Sequence, residues 1–242
     1  INSIFFINSA SFLLLFLSIL ISYIPDQEHK ENGNDDIKEI FVGFKENFTN
    51  IKLRISLLFT IVVNIAMLGF NATIIYYLQD QLKLSNSLVG IVYSIAGFGS
   101  LIAVTLLSTF LNKKDAFILM NISMATIPLV IMASGIVENW IFFGICYSIL
   151  SGLITIASVS ITTIQQQEST EYNIGKILSS SFVIATIFAP FGGILAAYFN
   201  WLLNPRLSLV ILGLLSSLLV ILIKSYEKKL TKKRTAIFIK ED

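Results

Sequence analysis

The chain has 242 residues, 55% of them hydrophobic and 13% charged, and a mean hydropathy of +0.80. A water-soluble domain needs roughly 25% charged residues to solvate its surface, so the composition argues against a soluble enzyme, a nucleic-acid binder and a secreted disulfide scaffold. A single cysteine, Cys146, rules out an intramolecular disulfide, a single histidine, His29, argues against the usual zinc constellations, and the net charge of +2 is informative only through where the charges fall.

Taken in chain order, seven long runs contain no Asp, Glu, Lys, Arg or His: residues 2–24, 57–78, 88–110, 116–137, 140–164, 177–198 and 207–223. Each approaches or exceeds the ~18 to 20 residues that a helix needs to cross hydrocarbon. A helix also satisfies its own backbone hydrogen bonds there, and the alternating ten-residue segments of a barrel are missing. The expected fold class is therefore all-α, a polytopic membrane bundle of about seven transmembrane helices.

The connection after the first span is the only long one. It is acidic at first, with Asp26, Glu28, Glu31, Asp35 and Asp36, and then places Ile37, Ile40, Phe41, Phe44, Phe48 and Ile51 at helical spacing. That pattern predicts a short amphipathic helix on the inner membrane surface, leading into the second span. The expected organisation is a first transmembrane helix over 1–24, a cytoplasmic linker with the amphipathic helix over 25–54, a six-helix bundle over 55–224 and a basic cytoplasmic tail over 225–242. The segments after the first, third and fifth spans, together with the tail, carry 15 Lys and Arg, whereas those after the second, fourth and sixth carry only Lys83 and Arg206. The positive-inside rule then puts the first set, the C-terminus included, in the cytoplasm. A chain that enters an apolar span at once, with no basic start and no cleavage site, is expected to be the C-terminal part of a longer protein.

An internal repeat is visible at an offset of 93 residues. Ala96-Gly97-Phe98-Gly99 through Ala103 in the third span aligns with Ala189-Pro190-Phe191-Gly192 through Ala196 in the sixth. Spans two to four and five to seven then form two triplets that enter the membrane from opposite sides, as in the inverted repeats of secondary transporters. Close-packed helices carrying small residues would give the same patches by packing alone.

No catalytic constellation is present, and no cofactor or metal is expected. What the spans do carry is neutral polar stripes, which must face protein, water or substrate. Thr60, Asn64, Met67 and Asn71 fall within about 60° on the second span. Ser148, Ser151, Thr155, Ser158 and Thr162 share a face about 80° wide on the fifth. Pro128 and Pro190 each remove a backbone donor inside a span; Pro190 with Gly192 and Gly193 is the expected moving part, and Gly97 and Gly99 are further candidate gating residues. Tyr76, Tyr77, Trp140, Tyr198 and Trp201, at span ends, read as interfacial anchors. Gln165, Gln166 and Gln167 read as a solvated helix end.

The last span of a first half, the linker, the lead-in from Gly43 to Arg54, Ser87-Leu88-Val89-Gly90 with Gly97-Phe98-Gly99, and Gly175-Lys176-Ile177-Leu178-Ser179 together carry a resemblance. The last of these is similar to a Gly-Arg-Val-x-Ser pattern with lysine for arginine. The chain resembles the C-terminal half of a major facilitator superfamily transporter, in particular the bacterial drug and siderophore exporters related to macrolide efflux pumps and the enterobactin exporter. The loop Leu111-Asn112-Lys113-Lys114-Asp115 keeps only the positive charge of the family's basic loop, so a gating salt bridge there is not expected. The resemblance implies a monomer in the bacterial cytoplasmic membrane that exports a small amphipathic organic molecule by alternating access, with the two polar stripes facing substrate. Its implied partners are that small molecule, membrane lipid and the upstream half of the same protein, and no nucleic acid. With no Asp, Glu, Lys, Arg or His in any span, a coupling carboxylate is expected upstream of Ile1. A seven-helix receptor or the membrane domain of an ATP-driven permease shares the topology, but the former fits poorly with two rocking triplets and the latter lacks nucleotide motifs here.

Overall fold

The computed structural model describes the backbone of residues 2–21, 36–111 and 114–241, and side chains within 8–21, 41–109 and 114–230. Residues 22–35, with most of the acidic part of the linker and His29, lie outside the described residues, as do Asn112 and Lys113. Eight α-helices account for almost all of the described chain, and no strand is present among the described residues. They are α1 (Asn2–Ile21), α2 (Asp36–Thr49), α3 (Ile51–Tyr76), α4 (Asn86–Leu106), α5 (Ala116–Ile136), α6 (Trp140–Gln167), α7 (Ile174–Leu202) and α8 (Pro205–Glu241). π-Helical turns at Tyr77–Gln81 and Leu107–Leu111 end α3 and α4.

The chain forms two compact units, Ile1–Asp36 and Ile37–Asp242. In the first, α1 contributes the apolar stretch Asn8–Ile21, shorter than a full span, and residues 22–24 of the expected first span lie outside the described residues. In the second, six helices are long and apolar enough to cross a membrane, with mean hydropathies of 1.9 to 2.5. Polar residues set where they start. Asn50 accepts from the Lys52 and Leu53 amides to cap α3, Ser85 caps α4, Asp115 caps α5, Asn139 caps α6, and Asn204 accepts from Leu207 in the first turn of α8. Pro205 occupies the first position of α8, where the missing N–H costs nothing. The helix of α8 continues through the basic tail to Glu241.

Large apolar side chains such as Leu101, Ile122, Ile187, Phe191 and Leu218 are exposed around the bundle. Such a surface belongs against hydrocarbon. The core is aromatic where α3 meets α6: the Tyr77 and Phe143 rings lie 5.0 Å apart, and Phe70 and Tyr147 5.2 Å. Tyr77 corrects its sequence reading as an interfacial anchor. It is only 1% exposed, and its hydroxyl donates to the Val137 carbonyl, because it continues the buried face of Phe70 and Ile74 at helical spacing. Tyr76, Tyr198 and Trp201 do remain exposed.

The packing has an internal symmetry. α3 packs along α7 and α4 along α6, while α5 packs against α6 and α8 against α3. Exchanging α3, α4, α5 for α6, α7, α8 maps this set of contacts onto itself. The match extends to single residues. A Cβ at Gly192 would collide with the Ile65 carbonyl, and one at Gly69 would lie 3.0 Å from the Gly192 carbonyl. Across the other pair, a Cβ at Gly99 would collide with the Ser148 carbonyl, and one at Gly152 would lie 3.1 Å from the Gly99 carbonyl. Gly99 and Gly192 are equivalent in the sequence repeat, and both mark the point of closest helix approach in their triplet pairing.

α2 lies against the start of α7. Gly43 meets the Lys176 carbonyl so closely that a Cβ would collide with it. One turn on, Asn47 is 0% exposed; its Nδ2 donates to the Ile177 carbonyl at 3.1 Å and to Ser180 Oγ at 2.8 Å, and its Oδ1 accepts from Ser181 at 3.0 Å. Asn173 donates to Glu46 at 2.8 Å, and Glu168 accepts from Asn50 and pairs with Lys52 at 2.6 Å. The small and polar stripe of α2 is thus buried against α7, and Phe41 and Phe48 point outward. Only a glycine allows this close a contact with α7, and the phenylalanines are left for the surroundings.

Candidate functional site

A cavity of about 380 Å³ opens between α3, α6 and α7, in the N-terminal part of α3 and the C-terminal part of α6. α3 supplies Thr60, Val63 and Asn64, one helical turn repeated. α6 supplies Ser158, Ile161, Thr162 and Gln165 with Ala157, and α7 closes it with Leu178, Ser181 and Phe182. No lining residue carries a charge. The two polar stripes of the sequence thus meet across one space, but only in part. Thr60, Asn64, Ser158 and Thr162 face the cavity, whereas Met67, Asn71, Ser148, Ser151 and Thr155 do not line it.

The residues left out have other surroundings. Asn71 is exposed and Met67 half-buried further along α3. Ser148 offers its carbonyl to the Gly99 crossing, and the Thr155 hydroxyl donates to the Ser151 carbonyl at 2.9 Å. Among the candidate gating residues, Gly99 and Gly192 are buried at the two helix crossings. Gly97 has open space where a Cβ would stand, Gly193 has only Leu68, at 3.9 Å, and Pro190 is exposed inside α7.

Gln165 departs from its reading as part of a solvated helix end, being 4% exposed and lining the cavity. The signal was available, since Ser158, Thr162 and Gln165 follow one another at helical spacing. Ser181 was not singled out either; it is one of three consecutive serines, and only the fold selects which of them turns inward.

Apart from the bond of Ser181 to Asn47, hydrogen bonds inside the cavity wall are local. The Thr60 hydroxyl donates to the Ser56 carbonyl at 2.8 Å, Thr162 to the Ser158 carbonyl at 3.0 Å, and Asn64 Nδ2 to the Thr60 carbonyl at 2.9 Å. Among the described residues no group of three or more His, Cys, Asp or Glu is placed to hold a metal ion.

With an uncharged polar cavity inside a six-span helical bundle, the comparison with known families is decisive. Residues 1–179 match the family model described as Major Facilitator Superfamily. The chain belongs to the major facilitator superfamily. Neither a curated protein nor a solved structure matches it. Superfamily members are transporters rather than enzymes, so the bundle is that of a multi-pass secondary membrane transporter.

Proposed function

We propose that this superfamily member exports a small amphipathic organic compound, of the drug or siderophore kind, across the cell membrane by alternating access, and that the cavity between α3, α6 and α7 is part of its substrate path. The observation that carries the reading is the meeting of two separate polar stripes, Thr60 and Asn64 with Ser158 and Thr162, on one uncharged space with an apolar wall. Neutral polar groups on membrane helices need partners, and a cavity shared by three helices gives them water or solute. The two glycine crossings support the mechanism, since they let each triplet pack on the other through backbone and small residues.

The test uses the full-length protein with Cys146 replaced by serine. Single cysteines at Asn64 and Thr162 are expected to react with a small aqueous thiol reagent, and transported compound is expected to protect them. A cysteine at Ile122, on the exposed apolar face of α5, is expected to stay unreactive. In inverted vesicles, N64L and T162V are expected to slow uncoupler-sensitive transport at least threefold. Unreactive cysteines at both cavity positions, or transport unaffected by both variants, would overturn the reading.

A further inference from the structure

The hydrogen bonds around the cavity bear on what it can recognise, because three of its hydroxyls, on Thr60, Thr162 and Ser181, have already committed their protons. Thr60 and Thr162 give theirs to carbonyls one turn back. Ser181 gives its proton to Asn47 Oδ1, and this direction is fixed by the rest of the network. Ser180 donates to the Ile177 carbonyl, so it can only accept from Asn47; the Asn47 amide therefore presents its Nδ2 to Ser180 and Ile177 and its Oδ1 to Ser181. Asn64 is likewise oriented, since its Nδ2 donates to the Thr60 carbonyl and a flipped amide would set oxygen against oxygen. Thr60 Oγ1, Asn64 Oδ1, Thr162 Oγ1 and Ser181 Oγ are left with lone pairs. The linker helix α2, through Asn47, sets the last of the four.

Resting on the assignment of this cavity to the substrate path, we propose that it recognises the N–H-donating head of a small amphipathic amine and rejects carboxylates and phosphates. An ammonium or amine head supplies donors to the lone pairs of Thr60, Thr162 and Ser181 and to Asn64 Oδ1. An anionic head would bring further lone pairs against them, and the lining offers no cation to offset its desolvation. Gln165, Ser158 and the second Nδ2 proton of Asn64 can also donate, so they adapt to either ligand, and the bias rests on the three committed hydroxyls and on the lack of a cation in the lining. Val63, Ile161, Leu178 and Phe182 form the wall for the apolar body.

The test measures binding to the full-length protein in phosphatidylcholine nanodiscs, with empty discs as background. The probes are 1-naphthylmethylamine and 1-naphthoate, which share one aromatic body, read by fluorescence anisotropy. The amine is expected to bind at least tenfold more tightly. T60V and T162V keep the side-chain shape and remove an acceptor, so each is expected to weaken the amine by about threefold to tenfold and to leave the naphthoate unchanged. S158W, at an exposed lining position, fills the cavity and is expected to abolish binding of both. Equal binding of the two probes, tighter binding of naphthoate, or no binding of either would overturn the donor preference. Amine binding that survives S158W would overturn the cavity assignment itself.

Discussion

At the scale of single residues, the glycines of the bundle divide by what stands where a side chain would be. Gly99 and Gly192 face backbone carbonyls of a neighbouring helix, which cannot move aside as a flexible side chain would. Gly99→Ala and Gly192→Ala are expected to destabilise the bundle by about 1 to 3 kcal/mol through overpacking, whereas Gly97→Ala, with open space beside it, is expected to be neutral or to stabilise α4 by up to about 1 kcal/mol through helix propensity. Denaturation in mixed micelles measures all three, and equal effects would count against the crossings. A second residue-scale expectation concerns Glu168. Hydrogen bonds from Lys52 and Asn50 hold its carboxyl below the usual value of 4.5. A lowered folded pKa stabilises fully above the unfolded value and is lost as pH falls through the folded one. Lys52 is largely open to solvent and Glu168 partly so, so the pair's contribution is below about 1 kcal/mol. The melting temperature of the protein is expected to exceed that of E168Q at neutral pH and to converge with it in acid; a constant difference would deny the linkage.

At the scale of elements, α2 shows where the sequence was readable and where it was not. Its existence and period were evident from Ile37 through Ile51, but that spacing fixes only which side chains share a face. What the face meets depends on a distance, and the deciding residue is Gly43, whose absent side chain lets the backbone of α7 approach. Asn47, one turn further, then finds its partners in α7. Asn47→Ala is expected to leave the Ser181 hydroxyl without its acceptor while the Ile177 carbonyl keeps Ser180 as a donor, costing about 1 to 3 kcal/mol. Faster amide hydrogen exchange across α2, with the middle of α3 unchanged, is the expected measurement. Gln165 and Tyr77 have the same lesson in reverse: residues near the end of an apolar run look interfacial until the neighbouring helices are in place.

At the scale of the whole molecule, the apolar runs were long enough for the six spans of the bundle to be read directly, and the polar stripes identified four of the residues that line the cavity. The stripes overreached because a helical face extends along the whole helix, while a cavity occupies only the few turns where three helices diverge; Ser148 lies on the right face but at the Gly99 crossing. The charge asymmetry leads to a topological expectation. Reporters fused after Lys114 and after Lys233 should respond as cytoplasmic and one after Glu138 as external; a cytoplasmic signal at Glu138 would reverse the orientation. The pairing of Glu138 with Arg206 at 2.6 Å places the turns before α6 and before α8 on one side, so a reporter after Asn204 should agree with the one after Glu138.

The middle of the bundle contains few bonds that tie one helix to the next. Thr60, Thr105, Thr126, Thr155, Thr162, Thr163 and Ser216 each donate to the carbonyl four residues back on their own helix. Among the described residues, side-chain bonds between helices gather toward the ends, as at Asn47, Tyr77 and the Asn200 to Thr73 contact. Sliding one helix along another by a fraction of a turn would therefore break little that is polar. Resistance to such a shear comes from steric interlocking at glycine notches such as Gly99 and Gly192, and a displacement that keeps each notch engaged has no hydrogen-bond detent to overcome.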